Sequence, residues 1–226
     1  MTSRCAIFCI VFGLSLLSGG FLFAQRLPGS NPHAKSVSKR FTRGNMASTA
    51  SQRLMNATIL GRADEAGMLL AQGTNPNLRD ERGWTPLMDA AIGGELKVVK
   101  VLLRYKADPT LQEPERGGRA LDMAASHPDY VDRRAGKYIE VIRLLLSAGA
   151  RVNAKDKKGN TALIGATVWG NMPVVKLLLS RGARIRSKNA EGKTALDFAV
   201  RKTKVVGLSR QRAAIKSLLI QAGANQ

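Results

Sequence analysis

The chain has 226 residues, room for one full-sized domain with a tail. Apolar residues make up 44% and aromatic ones 5%, which excludes global disorder and points to a core of small and aliphatic side chains. Thirty-six Lys and Arg against sixteen Asp and Glu give a formal charge of +20, an attraction to anionic surfaces that selects no partner by itself. Both cysteines, Cys5 and Cys9, fall in the first ten residues, so the remainder has no disulfide, thiolate nucleophile or cysteine metal site. His33 and His127 are the only imidazoles, which excludes a multi-histidine metal centre.

From the start of the chain, Arg4 precedes an uncharged run, residues 5–24. A short positive start, an apolar core from Ala6 to Leu17, small residues Ser18-Gly19-Gly20, and Leu22-Phe23-Ala24 read as a secretory signal cut after Ala24. The alternative is an uncleaved membrane anchor, which the interrupting glycines and serines weaken. Either way the body is expected outside the cytoplasm, exported to a periplasm or secreted. Residues 25–47 hold two prolines, two glycines and five basic residues, with no acid and no hydrophobic period. They read as a basic flexible linker.

Residues 48–226 repeat. Thr85-Pro86-Leu87-Met88 recurs as Arg119-Ala120-Leu121-Asp122, Thr161-Ala162-Leu163-Ile164 and Thr194-Ala195-Leu196-Asp197, at offsets of 34, 42 and 33 residues. Gly149-Ala150, Gly182-Ala183 and Gly223-Ala224 form a second series, with weaker copies at Gly73-Thr74 and Lys106-Ala107. Between the series lie apolar blocks such as Val98-Val99 with Val101-Leu102-Leu103, and Val174-Val175 with Leu177-Leu178-Leu179. Threonine before proline is a helix start, and glycine after the aliphatic block is a left-handed helix end, at Gly149, Gly182 and Gly223. Alanines 90, 91, 124, 125, 166 and 199 keep the first helix of each unit thin enough for close stacking, while the second helix fills the layer. Asp80-x-x-Gly83, Asp156-x-x-Gly159 and Asn189-x-x-Gly192 read as turns.

This pattern resembles the ankyrin repeat. The resemblance implies an all-α solenoid of helix-turn-helix units with short hairpin fingers, in five repeats at about 48–79, 80–113, 114–155, 156–188 and 189–226. The histidine usual in the family's TPLH motif is Met88, Asp122, Ile164 and Asp197 here. About nine extra residues near 129–136 and eight near 202–210 are expected as surface loops between the two helices of repeats three and five.

Catalysis has little support: there is no Gly-rich phosphate loop, paired carboxylate motif or metal spacing, and His127 has no triad partners at repeat positions. The expectation is a non-enzymatic protein without cofactor or metal. The resemblance instead implies that a partner protein docks on a concave face of finger tips and first helices. On that alignment the finger positions are Glu81, Arg82 and Trp84; Glu115, Arg116 and Gly118; Lys157, Lys158 and Asn160; and Ala190, Glu191 and Lys193. The helix positions are Ile92 and Gly93, Ser126 and His127, Val168 and Trp169, and Arg201 and Lys202. Candidate contact residues are therefore Arg82, Trp84, Arg116, His127, Lys157, Lys158, Trp169, Lys193, Arg201 and Lys202, with the two tryptophans expected exposed as anchors.

Charge is uneven along the repeats. Residues 51–113 hold eight basic and eight acidic side chains, and residues 157–216 hold fourteen basic and two acidic. That bias favours an acidic partner protein, bound by a monomer. Two other readings stay open: an inhibitor or immunity-like protein capping an enzyme, and a surface protein held electrostatically to anionic lipid or polymer. Nucleic acid is not expected, because no aromatic-interleaved basic sheet or recognition helix accompanies the charge.

Overall fold

In the computed structural model, which describes residues 49–126, 135–201 and 206–223, the capping residues and apolar blocks form ten α-helices, with no strand among the described residues. They are α1 (Ala50–Ile59), α2 (Ala63–Ala71), α3 (Pro86–Gly93), α4 (Leu96–Arg104), α5 (Ala120–Ala125), α6 (Ala135–Ser147), α7 (Ala162–Val168), α8 (Met172–Ser180), α9 (Ala195–Val200) and α10 (Val206–Gly223). The odd-numbered helices stack on one another in sequence order, and so do the even-numbered ones. The architecture is an all-helical solenoid of five helical hairpins.

Local chemistry sets the starts. The hydroxyls of Thr85, Thr161 and Thr194 accept the N–H groups of Met88, Ile164 and Asp197 at 3.3, 3.4 and 3.4 Å. Where the motif histidine is replaced by aspartate, the carboxylate closes the cap: Asp122 accepts the Arg119 N–H at 3.0 Å and Asp197 accepts that of Thr194 at 2.7 Å. The first helices are as thin as the alanines require, with Ala90, Ala124 and Ala166 fully buried. The second helices bury two aliphatic columns, Val98, Val141, Val174 and Ile215, and Leu102, Leu145, Leu178 and Leu219, none more than 1% exposed. Truncating any of these leucines to alanine removes apolar burial and leaves a cavity, about 2–5 kcal/mol in cores generally.

Helix ends follow the glycine series with two departures. Gly149 and Gly182 have positive φ, as the sequence predicts, and so does Gly73 in the first hairpin, but Gly223 does not; it is the last residue of α10. The second hairpin has Lys106 in the same place, the one non-glycine with positive φ among the described residues, at 64°. A side chain there costs about 1–2 kcal/mol. Lys106→Gly is therefore expected to raise the urea midpoint, with a gain of about 1 kcal/mol.

The extra residues are not simply loops. Regular second helices span nine residues, but α6 spans 13 and α10 spans 18. Part of each insertion therefore extends a helix at its start, and residues 206–210, expected as loop, are the first turn of α10. Residues 127–134 and 202–205 lie outside the described residues.

The outward side of the fifth hairpin carries a lysine where the internal ones carry a buried aliphatic residue, and it also exposes the apolar side chains of Val200 and Ile220. Val99, Ile142 and Val175 are fully buried against the following hairpin, whereas the equivalent residue of α10 is an exposed lysine, Lys216. Val200 is 51% exposed, whereas its equivalents Ala91, Ala125 and Thr167 are fully buried. Lys216 thus replaces one apolar contact of the stack, whereas Val200 and Ile220 leave exposed apolar surface of the kind each repeat offers to a neighbour.

Candidate functional site

Four turns project from the stack, each closed by an acid or amide that binds its own backbone. Asp80 Oδ1 accepts the N–H of Arg82 at 3.0 Å and of Trp84 at 2.8 Å, and the Asp80 N–H donates to Trp84 O at 2.9 Å. Asp156 does the same for Lys158 and Asn160, and Asn189 for Glu191 and Lys193. The finger of the third hairpin corrects the alignment. Its capping acid is Glu113, 3% exposed, so the tip is one residue longer than the others. The longer side chain spans the longer turn, accepting the N–H groups of Glu115, Arg116 and Gly118 at 2.8, 2.7 and 3.0 Å. That residue accounts for the 34-residue offset.

Neighbouring fingers are joined by backbone bonds, Lys157 N–H to Arg116 O and Ala190 N–H to Lys158 O, both 2.8 Å. The residue that would donate from the third finger to the second is Pro114, which has no N–H. Its ring packs on Gly83 instead: a Cβ at Gly83 would lie 2.4 Å from Pro114 Cδ, at a backbone φ of +75°. Gly83→Ala thus combines steric overlap with left-handed strain, an expected loss of about 2–4 kcal/mol in urea unfolding. Gly73→Ala, with φ of +88° and nothing within 4 Å, carries the strain alone and is expected to lose about 1–2 kcal/mol.

The second finger also carries a charge cluster. The Arg82 guanidinium pairs with Asp80 at 2.7 Å, lies 4.9 Å from the Trp84 ring centroid, and reaches to 3.7 Å from Asp89. Asp89 sits on α3, fully buried, with no hydrogen-bond partner for either carboxylate oxygen. Burial pushes its pKa up to about 7, against the opposing pull of Arg82. Asp122 on α5 is likewise raised to about 7 by burial, against the Arg119 N–H and guanidinium.

The candidate contact residues divide as follows. Arg82, Lys157, Lys158 and Arg201 are exposed; Trp84, Arg116 and Lys193 are half-buried. Arg116 lies 3.9 Å from Glu115, Lys193 pairs with Glu191 at 2.6 Å, Lys157 Nζ donates to Pro114 O, and Arg201 lies over the Phe198 ring at 5.9 Å. His127 and Lys202 lie outside the described residues. Trp169 is a correction: expected exposed, it is 3% exposed. The cause is the lengthened α10, whose first turns cover this corner. A Cβ on the adjacent Gly170 would meet Leu208 at 2.6 Å, and Arg212 Nε donates to Val168 O at 3.1 Å. Trp169 packs into this corner instead of standing exposed on it. Sequence reading passed over Asp89 and Glu113. Their signals were an acid within the otherwise apolar Pro86–Ile92 segment, and an acid ahead of the paired Gly117-Gly118.

Stacked helical hairpins with capped finger turns define a repeat scaffold. The family model for ankyrin repeats (3 copies) matches residues 54–156 and 131–226, and the chain belongs to the ankyrin repeat family. Ankyrin repeats are generally protein–protein interaction modules. The chain is 39% identical over 108 residues to the ankyrin repeat and KH domain-containing protein mask of Drosophila melanogaster, covering 47% of this chain and 2% of that protein. It is 38% identical over 106 residues to the human ankyrin repeat and KH domain-containing protein 1, covering 46% and 4%. With mouse ankyrin repeat and SOCS box protein 6 it shares 32% identity over 117 residues, 51% and 26%. The chain thus spans at most about a quarter of the length of these relatives, and the likeness is one of repeats.

Proposed function

We propose that this ankyrin-repeat protein is an exported, non-enzymatic module that binds an acidic segment of another protein across its finger tips and first helices. The observation that carries this reading is the half-buried aromatic ring of Trp84 among finger-tip cations, of which Arg82, Arg116 and Lys193 stand beside acids of their own tips while the exposed Lys157 and Lys158 leave the fourth tip net positive. Rings and guanidinium groups dominate binding energy at protein interfaces, and rim cations accelerate association with acidic partners. Trp84 is the anchor of this reading and Trp169 supports the scaffold beneath.

A second reading is favoured by one observation. Residues 151–188 hold nine basic side chains and one acidic, Asp156, a density suited to anionic lipid or polymer. Ionic strength separates the two. The purified chain, immobilised and exposed to extract from its native source, is expected to keep a defined protein at 0.5 M salt and to lose it with Trp84→Ala, which should weaken binding about 30-fold or more. Retention of many acidic species at low salt only, unchanged by Trp84→Ala, would favour the polyanion reading.

Export rests on residues 1–24. Expression in a secretion-competent host is expected to give a product whose intact mass begins at Gln25; a product retaining residues 5–24 in the membrane fraction would replace secretion with anchoring.

A further inference from the structure

Asp89 has no part in the binding face just described, yet it lies directly beneath it. Its carboxylate is fully buried with neither oxygen hydrogen-bonded, a state that favours the neutral acid, because an ionised carboxylate there has no donor to replace water. One cation is within reach. Arg82 Nη2 stands 3.7 Å from Asp89 Oδ1, too far for a hydrogen bond, while it pairs at 2.7 Å with Asp80 and covers the Trp84 ring. Arg82 is therefore shared between two carboxylates, one at the surface and one buried.

We infer that Asp89 is a proton-operated latch on the second finger: protonated, it leaves Arg82 with Asp80 and over Trp84; ionised, it draws Arg82 down into hydrogen-bond contact and uncovers the Trp84 ring. The charged groups of the elements packed against α3 are Arg53 on α1, Lys97, Lys100 and Arg104 on α4, and Asp122 on α5 with Arg119 at its cap. The charges that act on Asp89 are those of its own finger, Arg82 favouring ionisation and Asp80 opposing it. The other fingers carry no such device, since the residues equivalent to Asp89 are Asn56, Met123, Gly165 and Phe198. The latch is a property of the free chain. Its consequence, a partner face that changes with pH at Arg82 and Trp84, rests on the function proposed above.

The test uses the native chain labelled with 5-fluorotryptophan, whose two fluorine resonances report Trp84 and Trp169 separately and are assigned with Trp84→Phe. Between pH 5 and 9 the Trp84 resonance is expected to shift in one step with a midpoint near neutrality, with the Trp169 resonance fixed. The step is expected to vanish in Asp89→Asn, which keeps the shape and removes the proton. This control also separates Asp89 from Asp122, His33 and His127, which remain. Circular dichroism across the range confirms that the fold persists. A Trp84 resonance that stays fixed from pH 5 to 9, or a shift that survives Asp89→Asn, overturns the latch. Neither result depends on a partner, so failure of the latch leaves the binding function standing, and failure of binding leaves the latch standing.

Discussion

Val175→Lys is expected to unfold the chain or to cost more than about 4 kcal/mol, because a buried ammonium without a partner is among the most destabilising changes a core can suffer. Val175 on α8 is fully buried, as Val99 and Ile142 are in the hairpins before it. Lys216 holds the equivalent place on the outward side of the fifth hairpin, where the ammonium stays in water. The reverse change, Lys216→Val, is therefore expected to alter stability by less than about 1 kcal/mol while adding apolar surface. Urea unfolding followed by circular dichroism measures both. Similar costs for the two changes would contradict the burial of position 175 and the exposure of its equivalent, position 216.

Asp89→Asn is expected to stabilise the protein at pH 8 and to do little at pH 4 or below. The native state holds this carboxyl's proton up to about pH 7, whereas the unfolded chain releases it in the usual carboxylate range. Between those values the native state binds more protons than the unfolded one, so the stability linked to Asp89 is complete below the unfolded value. It is lost as pH rises through the window and is gone above about 7. Three pH units at about 1.4 kcal/mol each set an upper bound of about 4 kcal/mol, and a gain of about 2–4 kcal/mol at pH 8 is expected for the asparagine variant. Urea midpoints of the two proteins should converge toward pH 4 and separate steadily up to pH 7. Asp122 remains in both, so the difference between them isolates Asp89. Parallel curves over the whole range would show that Asp89 ionises without cost in the folded protein.

Much of the scaffold is legible in the residues because each repeat states its own boundaries. Thr85, Thr161 and Thr194 cap the helices they precede, the alanine and leucine columns are buried as their spacing requires, and Gly73, Gly149 and Gly182 are left-handed. What escapes local reading depends on the neighbouring hairpin. Trp169 occupies a position that is open when the following second helix has nine residues, and closed when that helix is 18 residues long. An insertion count cannot tell loop from helix. The unbroken run from Leu208 to Ile215, free of Pro and Gly and apolar at both ends, was the available signal. Glu113 was missed because a longer acid in a longer turn does the work of a shorter acid in a shorter one. Asp89 was missed because burial of a charge contradicts its residue type, and composition alone assigns it to the surface.

Asp89 belongs to a group on the second finger. Its Asp80, Arg82, Trp84 and Asp89 form a charged and aromatic cluster that scaffold rules do not require, and Pro114 breaks the backbone bond that would tie its tip to the next finger. Arg79 makes the link instead, its Nη1 donating to Gly83 O at 2.7 Å and to Gln112 O at 2.8 Å, and the Pro114 ring packs on Gly83. The remaining tips are bridged by backbone bonds through Arg116, Lys157, Lys158 and Ala190.

We propose above that the finger tips, with Trp84 at the second, recognise acidic protein segments. Selection from a random peptide display library against the purified chain at 0.15 M salt tests it most directly, with affinities of the enriched peptides then measured for the native chain and for Trp84→Ala. Enrichment of acidic sequences that bind the native chain and lose about 30-fold or more in affinity with Trp84→Ala is the expected result. Enriched peptides without acidic character, or acidic ones that bind Trp84→Ala as tightly as the native chain, would contradict it.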